Sequence, residues 1–241
     1  MKLLIPALCL CVVPALAAPA CATGTYASYQ ALSGGCSIGN ALFSNFSALS
    51  FVNSPGVGTL TPGEIEVIPS GSLSDDVLTF MYLNAAGSPT PVTLNQNGQV
   101  FSLGLSYDIV VTPGSLTGIE MSSTFGNTAP GSASASKTAQ PVGGGSAITS
   151  TVNDGGISNS QGTYSGAVMP VTGAGTFLIT DTTSLQAQTG SATQSGFANS
   201  FLVSPGATAT PEIGSLTMIG SGLVFLSMIA SSTRRRKRGK D

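Results

Sequence analysis

VFSLGLSYDIVV, residues 100–111, alternates without a break: Phe101, Leu103, Leu105, Tyr107, Ile109 and Val111 fall on one face, and Ser102, Gly104, Ser106 and Asp108 on the other. Successive side chains of a strand point to opposite sides, so this period of two marks a strand with one face buried. Pro113-Gly114 then ends it in a turn. Shorter segments of the same kind are expected as strands at 64–68, 77–83, 119–125, 176–180, 185–189 and 197–203. Turn formers separate them, among them Asn97-Gly98, Pro130-Gly131, Gly143-Gly144-Gly145 and Asp154-Gly155-Gly156. With 31 Gly and 14 Pro in 241 residues, long soluble helices have little room. The expected body is all-β, a β-sandwich over residues 21–203, jelly-roll topology included. Residues 130–145 (PGSASASKTAQPVGGG) are expected to be a low-complexity loop, and 204–212 a linker.

The two ends read differently from the body. Lys2 followed by an almost wholly apolar stretch to Leu16 predicts a secretory signal peptide over residues 1–20, with small residues for cleavage after Ala17 or Ala20. Cys9 and Cys11 would leave with it, and Cys21 and Cys36 would remain. In an oxidising compartment such a pair usually bridges, and two free thiols are the alternative. Residues 18–20 lack the large aliphatic that a lipidation signal would place three residues before Cys21. Residues 213–233 then run 21 positions without a charge, a length of about 31 Å as a helix, which matches the hydrocarbon core of a bilayer. Arg234, Arg235, Arg236, Lys237 and Arg238 follow directly, within a basic tail at 234–241. Such a cluster stays cytoplasmic, so the expectation is one C-terminal transmembrane helix in membrane lipid with the body outside.

Pro211-Glu212, a Gly-rich apolar span and a terminal arginine cluster together resemble the PEP-CTERM sorting tail. Ile213 stands where that motif has its second proline. The resemblance implies recognition of Pro211 and Glu212 by an exosortase in the inner membrane. It also implies delivery to the cell surface or extracellular matrix of a bacterium that makes exopolysaccharide. The segment from Gly35-Cys36-Ser37-Ile38-Gly39-Asn40 to Phe43-Ser44-Asn45-Phe46-Ser47 is similar to one near the start of many such proteins of acidobacterial type, and implies no activity.

Charge narrows the function further. Between residues 21 and 210 the chain has one base, Lys137, against eight acids: Glu64, Glu66, Asp75, Asp76, Asp108, Glu120, Asp154 and Asp181. Such a body lacks the cationic footprint that nucleic acids require, so no nucleic-acid partner is expected. Histidine is absent, which excludes Ser-His-Asp and Cys-His catalysis and histidine-bound zinc. Glu64 and Glu66, two apart on one strand face, are the nearest thing to a catalytic carboxylate pair. Two acids on a solvated face is the commoner meaning of that pattern. Asp75-Asp76 could contribute oxygens to a calcium site, or be a plain solvated turn. No catalytic residue, metal or cofactor is expected. The leading reading is a non-enzymatic structural or adhesive surface protein. Its first alternative is a carbohydrate-binding module, which would want exposed aromatic rings; its second is a carboxylate-based glycosidase.

Overall fold

The computed structural model describes residues 18–72, 74–127, 131–153, 161–171, 175–188 and 190–205. Residues 1–17 of the leader, Asp154, the Pro211-Glu212 motif, the apolar run and the arginine cluster lie outside these residues. Among the described residues no helix is long and apolar enough to cross a membrane.

Among the described residues fifteen strands and one short α-helix follow in order: β1 Gly24–Thr25, α1 Tyr26–Gln30, β2 Cys36–Ile38, β3 Ala41–Ser44, β4 Ser50–Asn53, β5 Ile65–Gly71, β6 Asp75–Tyr82, β7 Val92–Leu94, β8 Val100–Val111, β9 Gly114–Asn127, β10 Gly131–Pro141, β11 Ile148–Asn153, β12 Gln161–Ser165, β13 Met169–Pro170, β14 Thr176–Ala187 and β15 Ala192–Pro205. They form two antiparallel sheets that face each other as a sandwich. One sheet has the order β1-β5-β6-β15-β9-β12, with β13 also on β9 and β7 also on β15. The other has the order β11-β10-β14-β8-β3-β2, with β4 also on β8.

The alternation that decides the fold is seen directly in β8, where every second residue from Phe101 to Val111 is buried. Facing it, β6 buries Asp76, Leu78, Phe80 and Tyr82, and β15 buries Phe197, Asn199, Phe201 and Val203. Aromatic rings fill the space between the sheets. Tyr107 stacks on Phe46 at 5.2 Å, Phe43 meets Phe201 edge-on at 5.4 Å, and Phe80 stacks on Phe197 at 4.8 Å. Such pairs add to the area they bury because the ring quadrupoles favour offset and edge-on contact.

Four expectations change. Most of residues 130–145 are not a loop: Gly131–Pro141 form β10, which lies between β11 and β14, and the turn is confined to 142–145 among the described residues. Ala133, Ala135, Lys137 and Ala139 alternate into the core, and their small size hides the period that the larger residues of β8 display. Segment 176–180 and residues 185–187 of the segment 185–189 are one strand, β14, because Asp181 and Thr183 are buried rather than turned to solvent. Glu64 belongs to a 3₁₀ turn, Pro62–Glu64, and not to a strand. Finally, β15 runs to Pro205, into the stretch read as linker.

At the N-terminal edge Cys21 and Cys36 are joined in a disulfide. Cys36 is buried and Cys21 packs against the core. The bridge closes the chain around α1, whose Tyr26 and Tyr29 are buried against Phe46.

Candidate functional site

Three strands of the first sheet, β6, β15 and β9, with β12 at the edge, carry small side chains on their outer face. Thr79, Ser122, Thr124, Thr163, Ser195 and Ala198 line a groove of about 310 Å³, and Met81 supplies its longest side chain. The groove arises from a bulge. The register of β15 slips between Gln194 and Gly196 where it pairs with β9. Gly196 sits at φ +153°, a conformation that side chains rarely adopt. A Cβ there would lie 2.1 Å from the carbonyl oxygen of Phe80, so β6 and β15 approach each other only because position 196 has no side chain.

A buried chain of hydrogen bonds fixes the bulge from beneath. Tyr82 Oη donates to Gln194 Oε1 at 3.2 Å, Gln194 Nε2 donates to Ser123 Oγ at 2.8 Å, and Ser123 Oγ donates to the Gly196 carbonyl at 2.7 Å. On the surface, the hydroxyls of Thr124 and Thr163 are 2.8 Å apart across β9 and β12. The groove lining includes hydroxyl side chains and no charge, and most of the surface it exposes is apolar. Its two aromatic residues, Phe80 and Phe197, are buried and stack on each other. A ligand lying here meets a mostly apolar surface edged by hydroxyls, without a ring to stack on.

Residues singled out in the sequence fall elsewhere. Glu64 Oε2 accepts from the amide of Thr61 at 2.8 Å and from its hydroxyl at 2.9 Å, capping the 3₁₀ turn. Those two bonds hold its carboxyl below the usual carboxylate range. Glu66 lies on the outer face of β5, paired with Thr25 and Met81, so the two glutamates form no pair on a shared strand. Asp75-Asp76 is not a solvated turn. Asp76 points into the sandwich, fully buried, and neither of its carboxylate oxygens has a hydrogen-bond partner. Burial first, and then the charge of Asp75, push its carboxyl up to about 6. Glycines crowd it: a Cβ on Gly71 would lie 2.8 Å from Asp76 Oδ1, and one on Gly39 3.2 Å. Among the described residues no group of three His, Cys, Asp or Glu could hold a metal ion.

The feature that sequence reasoning passed over is in the core. Lys137, the body's one base, is fully buried, together with Asp181, Asn199 and Tyr107. Asn199 Nδ2 donates to Asp181 Oδ2 at 2.6 Å and to Tyr107 Oη at 2.7 Å. Lys137 Nζ donates to the Ser200 carbonyl at 2.7 Å and lies 4.1 Å above the Phe201 ring. Burial lowers the Lys137 ammonium and raises the Asp181 carboxyl, so each is driven toward its neutral form. A single lysine among alanines and serines was the available signal.

No family model and no curated protein matches this chain. Among solved structures it is similar to the enzymatically active domain of bacteriophage CBA120 tailspike protein 4, at 11% identity over 66% of this chain and 20% of that one, with a TM-score of 0.33. It is similar to TmCBM61 in complex with beta-1,4-galactotriose, at 10% identity over 64% of this chain and 88% of that one, TM-score 0.29. A third is the CBM36-1 domain of a multidomain xylanase from the hindgut metagenome of Trinervitermes trinervoides, at 14% identity over 63% of this chain and 95% of that one, TM-score 0.25. The chain spans about a fifth of the tailspike structure. Likeness at this level assigns neither ligand nor activity to the chain.

Proposed function

We propose that this is an exported, surface-sorted protein whose sandwich binds a neutral polysaccharide through the outer groove of the first sheet. The observation that carries the reading is the lining: five hydroxyl side chains and Met81 around a bulge, with no charge among them. Sugars of a neutral glycan present hydroxyls, and a row of Ser and Thr pairs with them by hydrogen bonds that each contribute modestly in water. With the Phe80 and Phe197 rings turned inward, stacking does not assist, so affinity is weak per site and a long polymer is held by repeated contact. A groove of this kind favours a binding module over a purely structural surface layer. The body acts without catalysis in this reading, since Glu64 is a cap and Glu66 an outer-face residue on a different element. Export by the leader, the membrane span at 213–233 and processing by an exosortase at Pro211-Glu212 deliver it to the envelope or to an exopolysaccharide matrix.

The test is binding of the purified protein to a panel of neutral and acidic polysaccharides, with Ala198→Arg as the variant that fills the groove from a surface position. Retention on neutral glycans that Ala198→Arg abolishes, at unchanged Tm, supports the site. Equal retention of both proteins, or none on any glycan, removes it.

A further inference from the structure

We infer that Lys137 and Asn199 are joined by a spontaneous amide bond between their side chains, formed inside the folded sandwich with Asp181 as the proton carrier. The two residues come from opposite sheets, Lys137 from β10 and Asn199 from β15. In register Lys137 is directly opposite Asp181 on β14. Its side chain nevertheless reaches past that neighbour and across the core, to the carbonyl of Ser200, the residue after Asn199. The amine is thus delivered to the strand that carries the carboxamide, while Asp181 touches that carboxamide at 2.6 Å.

The surroundings supply what the step needs. Lys137, Asp181, Asn199 and Tyr107 are closed off from water. An amine is a nucleophile only when neutral, and burial is the largest influence lowering this one, against the opposing charges of Asp181, Glu120 and Asp75. Asp181, raised by its own burial, holds a proton to give. One oxygen of Asp181 and the Oδ1 of Asn199 are left without partners, although their neighbours are polar. Turning the carboxamide about its Cβ–Cγ bond gives Oδ1 the two partners that Nδ2 now holds. Its oxygen then accepts from Tyr107 Oη and from protonated Asp181, which draws electrons from Cγ and stabilises an oxyanion there. Buried groups that go unsatisfied as a stable resting state are uncommon, and ones poised for reaction are a recognised exception.

The balance is closed. The Lys137 Nζ lone pair attacks Asn199 Cγ and forms the C–N bond. Asp181 accepts the proton lost by Nζ and passes one to Nδ2, and the Cγ–Nδ2 bond breaks to release ammonia. One amine and one primary amide become one secondary amide and ammonia, with no oxidant, reductant or metal. The product ties the two sheets together at mid-core. It also removes a buried amine and leaves an amide that Asp181 and Tyr107 can hydrogen-bond. An exported protein facing proteases gains a second covalent staple, far in the chain from the disulfide.

Intact mass of the purified, reduced and denatured full chain reads the bond directly: a deficit of about 17 Da, one ammonia, from the mass calculated for its termini. Trypsin gives an independent readout, because Lys137 is the body's one basic residue: after denaturation the bonded body stays uncut there, and an unbonded one is cleaved in two. Lys137→Met conserves volume and folds in either case. If the lysine is merely a buried cation, this change leaves Tm level or raises it; with the bond lost, Tm falls by roughly 10 °C. Asp181→Ala retains both partners and should accumulate the full mass. Wild-type protein of full mass that trypsin cuts after Lys137 overturns the inference. A deficit of about 18 Da, mapping to a Lys137–Asp181 link, overturns the assignment of Asn199. A deficit that persists unchanged in Asp181→Ala overturns the role given to Asp181.

Discussion

Replacing Gly196 with alanine should be one of the most damaging single-methyl additions this body can receive. The new Cβ would lie 2.1 Å from the Phe80 carbonyl oxygen and 3.1 Å from the Met81 Cα. The first contact is with backbone, not with the end of a flexible side chain, so β6 and β15 must separate by about 1 Å or the bulge must flatten. Holding alanine at φ +153° costs about 1–3 kcal/mol, and the forced contact adds about 1–3 kcal/mol more. For a domain of this size each kcal/mol moves Tm by about 2–4 °C, so the expected fall is roughly 5–20 °C. The control is Gly162→Ala on β12: a Cβ there meets nothing within 4 Å, and its Tm should stay close to wild type. Thermal unfolding by circular dichroism reads both, and glycan retention by the surviving Gly196→Ala fraction reads the groove. A Gly196→Ala protein that melts with wild type would refute the bulge geometry and, with it, the groove.

Other perturbations follow the same reasoning. Cys21→Ser with Cys36→Ser opens a loop whose ends are 15 residues apart, and should cost about 3 kcal/mol, or roughly 6–12 °C in Tm; a reductant that leaves wild-type Tm unmoved would contradict this. Asp76 has its carboxyl raised from 3.8 to about 6 in the folded protein. Its contribution to stability is therefore full below about pH 4 and is lost as pH rises through about 6. Asp76→Asn should remove that slope and raise Tm at pH 8 by on the order of 5 °C, measured by scanning calorimetry across pH 4–8. Deleting residues 211–241 should release the body from the membrane fraction, as seen by blotting of fractionated cells; retention would require another anchor.

The fold was legible where side chains contrast. Phe101 to Val111 announces a strand because large apolar residues alternate with Ser, Gly and Asp, and the burial pattern repeats that contrast residue by residue. Residues 131–141 alternate equally well, but Ala against Ser is a difference of one hydroxyl, and Pro and Gly at the flanks read as loop. Lys137 deepened the error, since a lone lysine is normally solvated. Its burial is set by strands β14 and β15, which lie far along the chain. Asp181 and Thr183 split β14 in two on paper for the same reason: polar residues look like turns until their buried partners are known. The groove was invisible because no segment contains it. It needs β6, β9, β12 and β15 side by side, and a register slip that periodicity does not encode.

Strand β15 carries both halves of the functional argument, and the spacing along it matters. Gln194 and Gly196 belong to the bulge that opens the groove, and Asn199 and Ser200 to the buried lysine site. The bulge has its hydrogen bonds complete from Tyr82 through Gln194 and Ser123 to Gly196, so its polar groups stabilise one register of β15. The lysine site, only a few residues on, leaves Asp181 Oδ1 and Asn199 Oδ1 without partners. Each such atom costs about 1–3 kcal/mol if it stays that way. The contrast falls along one strand, since β15 contributes residues to both networks. Bond formation between Lys137 and Asn199 resolves the difference. It also fixes the register of β15 covalently next to the bulge, so that the surface groove inherits its shape from chemistry completed in the core.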